Sequence, residues 1–278
     1  MSKVIAPRNA KAEAQGMLGA DARVLEPSPP AVSQPPWYSD DPTEGRPLDY
    51  SQRDGDLDWR ERRWLGPYGR LQALPVSFDA TREELHKLAE NVLSPARAAA
   101  NGKIALRWTL GGFGTPFFGA DEQLRIEHGA LIRQRGEHAT QEEPGAGIDP
   151  AAATALGDFY GFATSVLEAL RAANPGADPS LVQLWPEHFD ISVLLGSQQE
   201  GRRADYGASP GDANHPEPYL YVQPWGTVPS GPRWQAHGFA GAERRYEELL
   251  AAEDQRALAL LFFQGCLDEL ASAQEAPG

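Results

Sequence analysis

Cysteine is almost absent from this sequence. Cys266 is the only cysteine among 278 residues, which excludes an internal disulfide and any metal or cluster site built from several cysteines. It lies in the apolar run ALALLFFQGCLDEL, with no basic residue beside it. A thiol in such surroundings is not activated, so we expect Cys266 to be a small buried hydrophobic side chain.

Positive charge and long apolar runs are scarce as well. Lys and Arg total 25 against 39 Asp and Glu, which gives a formal net charge of -14. Because nucleic acid and anionic membrane surfaces bind proteins through basic patches, we expect neither as a partner. No stretch approaches the ~20 apolar residues of a membrane span, and the first residues, MSKVIAPRNAKAEAQGMLG, lack the apolar centre of a secretory signal. These absences favour a cytoplasmic protein.

Composition divides the chain into two parts. The segment EPSPPAVSQPPWYSDDPTEGRP is rich in Pro, Ser and acidic residues and has no periodicity, so residues 1–56 are predicted to be a disordered tail. Hydrophobic residues make up 41% of the chain and charged residues 23%, which is typical of globular proteins. Residues 57–273 are therefore predicted to form a single domain. The Pro-rich tail also supports an alternative function, a non-catalytic protein that recruits a partner through it.

Helical and strand periodicities alternate along the predicted domain. Thr81 and Glu84 form a T-x-x-E capping pattern before a leucine stripe, which predicts a helix from about 82 to 100. Two further regions, about 153–172 and about 242–271, are also predicted to be helical. Strands are predicted in GKIALRWTLGGFGTPFF, in EQLRIEHGALIRQRG with a turn at 127–130, in LVQLWPEHFDISVLLG and in PYLYVQPW.

The order of strands followed by a helix occurs twice. Two similar β-β-α halves, at about 80–173 and 180–273, predict an α+β fold with helices packed on one face of an antiparallel sheet. The segment RADYGASPGDANHPEP, before the last predicted strand, is so dense in Gly and Pro that we predict an ordered loop. Ser209 precedes a proline in this loop and is interpreted as a turn former, not as a nucleophile.

Polar and aromatic side chains collect on one face of the predicted strands. In WPEHFDISVLL the aliphatic side chains alternate with His188 and Asp190, and in PYLYVQPW they alternate with polar and aromatic ones. If the aliphatic faces meet the helices, the opposite sheet face forms a ligand pocket with aromatic walls. The predicted ligand-binding residues are Arg107, Thr109, Tyr219, Tyr221, Gln223 and Trp225, with His188 and Asp190 as the catalytic candidates.

Three chemistries are open for His188 and Asp190. They are candidates for acid–base work on a bound small molecule. With His215 and Glu217 they also offer a mixed nitrogen and oxygen ligand set for a divalent metal, which makes a metal-dependent enzyme the alternative function. The spacing to His237 resembles that of 2-oxoglutarate-dependent iron oxygenases, although fewer strands are predicted than that fold needs. The third interpretation is structural, with the two side chains bonded to each other or to the backbone.

Three segments carry a resemblance to known sequences. TLGGFGTPFFGADEQLRIEHGALIRQRG, LWPEHFDISVLLG and YGASPGDANHPEPYLYVQPW resemble a group of uncharacterised conserved proteins from actinobacteria. The order of elements is also similar to that of a wider bacterial domain family of unknown function. The resemblance spans roughly residues 80–270 and implies two α+β halves, but it implies no activity and assigns no catalytic residue.

Overall fold

The computed structural model describes residues 3–5, 70–109, 111–118, 122–135, 138–142 and 145–272. The predicted disordered tail lies outside the described residues except for Lys3–Ile5, which form a strand, β1. The extent of the single domain and the partner-recruiting role of the tail therefore stay predictions.

The first half of the fold is an antiparallel sheet in which consecutive strands are neighbours, with β1 added beside the last of them. Its strands are β2 Arg107–Thr109, β3 Gly112–Gly114, β4 Glu122–Glu127, β5 Ala130–Arg135 and β6 His138–Glu142. The predicted turn between β4 and β5 is confirmed, because His128 and Gly129 both have positive φ, which is typical of a tight hairpin. Gly112 lets β3 approach β4, since a Cβ there would lie 2.3 Å from the Ile126 carbonyl oxygen.

The second half repeats this plan. Its strands are β7 Gln183–Trp185, β8 Asp190–Leu195, β9 Ala204–Ser209, β10 Tyr219–Pro224 and β11 Ala242–Arg245, paired in chain order. The two sheets meet at their edges, where the amides of Leu106 and Leu184 each donate to the other's carbonyl at 2.8 Å or less. The strands of both halves therefore follow one another in an almost continuous antiparallel sheet.

Helices cover one face of this arrangement. They are α1 Phe78–Leu88, continued by a π-helical turn and α2 Ser94–Asn101, then α3 Pro150–Ala173, α4 Tyr246–Ala251 and α5 Gln255–Ser272. Asp149 caps α3, because its side chain accepts hydrogen bonds from the amides of Ala151 and Ala152. Helix α3 packs on strands of both sheets and α5 on the second. The predicted α+β fold with two strand-then-helix halves is confirmed.

Several local predictions are wrong. The region predicted to be helical from about 242 begins with strand β11, which pairs with β10. The segment GKIALRWTLGGFGTPFF, predicted as one strand, contains the antiparallel pair β2 and β3. Thr81 does not cap a helix, because α1 begins at Phe78 and the Thr81 hydroxyl accepts a hydrogen bond from the Asp149 amide instead. The segment predicted as one strand, Leu184 to Gly196, is a hairpin of β7 and β8 joined by a turn at 186–189. The Gly- and Pro-rich segment predicted as a loop contains β9, which lies between β8 and β10.

Candidate functional site

An open cavity of about 570 Å³ lies on the second sheet, on the face away from the helices. The strands alternate strictly around it. Ile191, Val193, Leu220 and Val222 are buried in the core, whereas the side chains between them line the cavity. The loop between β10 and β11 adds Phe239. The predicted division of β8 and β10 into a core face and a polar face is therefore what the structure has.

Five residues that the sequence singled out for a pocket line this cavity. They are His188, Asp190, Tyr219, Tyr221 and Gln223. Asp190 is the first residue of β8 and is buried, whereas His188 lies in the preceding turn and is exposed. The two are thus not alternate residues of one strand, although both reach the same cavity.

The other predicted binding residues lie elsewhere. Arg107 and Thr109 are on β2, in the first sheet, and are not among the cavity-lining residues. Trp225 follows β10 and is 53% exposed, with its indole nitrogen donating to Asp205 at 2.7 Å. The reason for the error with β2 is topological, because β2 joins the second sheet only through the edge strand β7 and does not run beside β8 or β10.

A hydrogen bond across the sheet joins Tyr221 to Asp190. Tyr221 on β10 pairs with Gly207 on β9, and Gly207 pairs with Ser192 on β8. The Tyr221 ring lies over Gly207, and its hydroxyl donates to Oδ2 of Asp190. A Cβ at position 207 would lie 2.4 Å from Cζ of Tyr221, so only glycine leaves room for this ring. The absence of a side chain at position 207 is therefore what allows Tyr221 to reach Asp190.

The Asp190 carboxyl is only half satisfied. Its Oδ1 is buried and has no hydrogen-bond partner within the described part of the chain. Burial raises the pKa of Asp190 to about 6, while the Tyr221 hydrogen bond, the nearby His188 and the residue's own backbone amide lower it in part. An acceptor buried without a donor is costly, and native proteins keep few of them.

The residue before Asp190 has an unusual backbone. Phe189 has a φ of 55°, in the left-handed region that bulky residues avoid. Its side chain is 2% exposed, with its ring 5.0 Å from that of Phe113 and 5.7 Å from that of Tyr160, whose hydroxyl donates to the Phe189 carbonyl. The packing of this ring holds the turn in its strained form and thereby sets the start of β8.

A second polar group, around Asp212 and His215, also lines the cavity. Tyr219 donates to Oδ2 of Asp212 at 2.8 Å, and the imidazole of His215 lies between Asp212 and Glu243, at 3.3 and 3.1 Å. Burial raises the pKa of Asp212, but hydrogen bonds from Tyr219 and from the Asn214 and His215 amides outweigh it, so this pKa lies below its usual value. Asp212 is thus a satisfied carboxylate, unlike Asp190.

Aromatic rings form one wall of the cavity. The centroids of Tyr219, Tyr221 and Phe239 lie 6.2 to 6.3 Å from one another, and His215 stacks on Tyr219 at 4.1 Å. The strand alternation predicts the two tyrosines. Phe239 is not predicted, because the sequence of a long loop does not indicate which part of the fold the loop will contact.

The predicted metal ligands do not form a metal site. Among the described residues, no group of three or more His, Cys, Asp or Glu side chains is placed to hold a metal ion. His188, Asp190 and His215 line the cavity, but Glu217 is exposed and lies off it, and carboxylates already occupy both ring nitrogens of His215. The spacing that resembles 2-oxoglutarate-dependent iron oxygenases does not produce a metal site either. His237, its third residue, is exposed in the loop between β10 and β11 and does not line the cavity.

Ser209 also lines the cavity, within the pentapeptide GASPG at 207–211. This pentapeptide fits the G-x-S-x-G pattern of hydrolases, in which the serine lies on a sharp turn between a strand and a helix. Here β9 leads instead through a loop to the antiparallel strand β10. The Ser209 hydroxyl bonds to Tyr219 and accepts from the Gly211 amide at 3.2 Å, so no imidazole activates it.

No protein-family model, curated protein or solved structure matches this chain. The resemblance to uncharacterised actinobacterial proteins therefore stays a prediction. Within the described ranges, no helix is both long and apolar enough to cross a membrane.

Proposed function

We propose that this protein binds a small molecule in the cavity on the outer face of its second sheet. The observation that carries the proposal is the buried Oδ1 of Asp190, which has no hydrogen-bond partner among the described residues and belongs to a side chain lining the cavity. A ligand that donates a hydrogen bond there would satisfy this acceptor.

Size and composition support the same function. A volume of about 570 Å³ lies within the range of roughly 300 to 1,000 Å³ that is typical of small-molecule sites. Aromatic walls with a few convergent polar groups are also what such sites contain. Strands hold half of the lining residues, including Asp190 and Tyr221, so this part of the cavity is formed before a ligand arrives.

A thermal-shift screen of a metabolite library tests the proposal. Compounds that raise the melting temperature are then tested against Gln223→Trp, which places a bulky ring at an exposed strand position of the cavity. We expect their stabilising effect to disappear in this variant and to persist in Thr140→Trp, a strand substitution in the other sheet. If stabilising compounds act equally on Gln223→Trp, they bind elsewhere and the proposed site is wrong.

Proton transfer by Asp190 is a second candidate function, favoured by the pKa of about 6. A carboxyl group with this pKa exchanges its proton near neutral pH, which suits a general acid or base. Mass spectrometry of a bound compound after long incubation tests it. At a compound concentration that saturates both proteins, we expect a chemical change with the wild type and an unchanged compound with Asp190→Asn; an unchanged compound with both proteins argues for binding alone.

A further inference from the structure

We infer that the ligand of this cavity is an organic cation, with a protonated primary amine or a guanidinium donating to Oδ1 of Asp190. The inference rests on the proposed binding function and adds to it the charge and the donor chemistry of the ligand.

Apart from the imidazoles of His188 and His215, the charged side chains that line the cavity are acidic. Four carboxylates line it, those of Glu187, Asp190, Asp205 and Asp212, and none of the described lining residues is Lys or Arg. An anionic ligand would meet four like charges without a fixed positive partner, and at ~4 Å each such pair costs about 1 kcal/mol even in bulk water. The cavity therefore disfavours phosphates and carboxylic acids.

Two of the other carboxylates accept hydrogen bonds from the protein, and neither has a buried oxygen without a partner among the described residues. Asp212 accepts hydrogen bonds from Tyr219 and from two backbone amides, and Asp205 accepts one from Trp225 at 2.7 Å. Asp190 accepts one bond, at Oδ2, which leaves Oδ1 as its open acceptor. A ligand donor is thus needed at one defined place in the cavity.

A positively charged donor satisfies Oδ1 of Asp190 better than a neutral donor does. Burial disfavours the ionised form of Asp190, and a neutral hydroxyl supplies a hydrogen bond without offsetting that charge. An ammonium or guanidinium group supplies both the hydrogen bond and the opposite charge. Charge-assisted hydrogen bonds are roughly twice as strong as neutral ones. Quaternary ammonium lacks the N–H donor that Oδ1 requires.

The aromatic wall agrees with a cation. Tyr219, Tyr221 and Phe239 lie mutually about 6 Å apart beside Asp190, with Tyr221 bonded to it. Cations are attracted to the faces of such rings, and this attraction adds to that of the Asp190 carboxylate. The same rings would pack on the carbon chain of the ligand.

Isothermal titration calorimetry with matched probes tests the inference on the wild-type protein at pH 7.5 and low salt. The cations are 1,5-diaminopentane and agmatine; 1,5-pentanediol is a neutral analogue of the diamine and glutarate an anionic one. We expect a cation to bind at least about tenfold more tightly than the diol, and glutarate not to bind. Choline should bind more weakly than agmatine, because it has no N–H donor.

Two variants locate the binding. Asp190→Asn should weaken the cation about tenfold or more, since it removes the charge and keeps the shape. Asp158→Asn is the matched control. The carboxyl group of Asp158 is partly buried and also has a raised pKa, but it does not line the cavity. Cation binding that survives Asp190→Asn unchanged, or that falls equally in both variants, reflects general attraction to an acidic protein and overturns the inference.

The failure of this inference is distinguishable from failure of the proposed function. If the diol or neutral library compounds bind as tightly as the cations, and Gln223→Trp blocks them, the cavity is a binding site and the cationic class is wrong. If neither the cations nor any library compound binds in a way that Gln223→Trp abolishes, both proposals are wrong. The wild-type ranking of the probes does not depend on whether Asp190→Asn folds.

Discussion

The Tyr221 hydroxyl donates a hydrogen bond to the Asp190 carboxylate across an entire strand, over the backbone of Gly207. The bond links β10 to β8 through their side chains, while β9 links them through its backbone. It holds one oxygen of Asp190 and leaves the other for a ligand. Four predictions follow from this arrangement and the core beneath it.

Gly207→Ala should displace the Tyr221 ring. The added Cβ would lie 2.4 Å from Cζ of Tyr221, so the ring must move and its bond to Asp190 must lengthen or break. We expect a loss of about 1 to 3 kcal/mol in the free energy of unfolding, measured by urea denaturation. Gly176→Ala is the control, because nothing lies within 4 Å of its Cβ and its φ is not positive. Equal stability of both variants would mean that Tyr221 does not occupy this position.

Asp190→Asn should change how stability depends on pH. The native carboxyl has a pKa of about 6, whereas the unfolded chain releases this proton near pH 4, so the native state binds more protons between these values. The contribution of Asp190 to the free energy of unfolding therefore falls as pH rises from about 4 to about 6, by on the order of 2 to 3 kcal/mol. The groups that act on this carboxyl are His188 in the turn, Tyr221 on β10 and Asp205 on β9.

Urea unfolding at several pH values measures this effect. Relative to the wild type, Asp190→Asn should gain stability between pH 4 and pH 7, because the asparagine is neutral throughout. Glu83→Gln, an exposed residue of α1, is the control and should show no such gain. A difference between wild type and Asp190→Asn that is constant with pH contradicts the raised pKa.

Phe189→Ala should destabilise the protein strongly. The ring is 2% exposed and lies against Phe113 and Tyr160, so its removal leaves a cavity that costs about 3 to 5 kcal/mol. Phe239→Ala removes a phenyl ring from a partly exposed loop position, so it should lower the free energy of unfolding by less. Chemical denaturation of both variants measures the difference; equal losses would show that Phe189 does not reach the core.

Cys266 should be protected from thiol reagents in the native protein. Burial raises the pKa of this thiol to about 12, so little thiolate is present at pH 8. We expect slow reaction with a disulfide reagent until urea unfolds the chain, whereas Val76→Cys, at a fully exposed position, should add a thiol that reacts at once. Fast labelling of the native wild type contradicts the packing of α5.

Much of the candidate site is local and was therefore predictable. The alternation along β8 and β10 placed Asp190, Tyr219 and Tyr221 opposite the core, because successive side chains of a strand point to opposite faces whatever the tertiary structure. The plan of strands followed by a helix in each half is predictable for the same reason, since hydrophobic periodicity is a property of each segment.

Other features depend on contacts between distant segments. The turn before Asp190 is not predictable from the local sequence, because Phe189 adopts a left-handed backbone that its packing on His86, Phe113 and Tyr160 sustains. The local sequence predicts a loop for β9, since its glycine and serine suit turns and become strand residues only between β8 and β10.

Local sequence is enough to show which side chains of β8 and β10 share a face, where the main helices lie and that the molecule carries few positive charges. Which strands are neighbours follows only from the folded chain. The tertiary structure separated Arg107 and Thr109 from the cavity by joining the halves at the edges of β2 and β7, and it brought Phe239 and Asp205 in. The physical reason is that a strand's two faces follow from the local chain, whereas the order of strands in a sheet depends on contacts far apart in sequence.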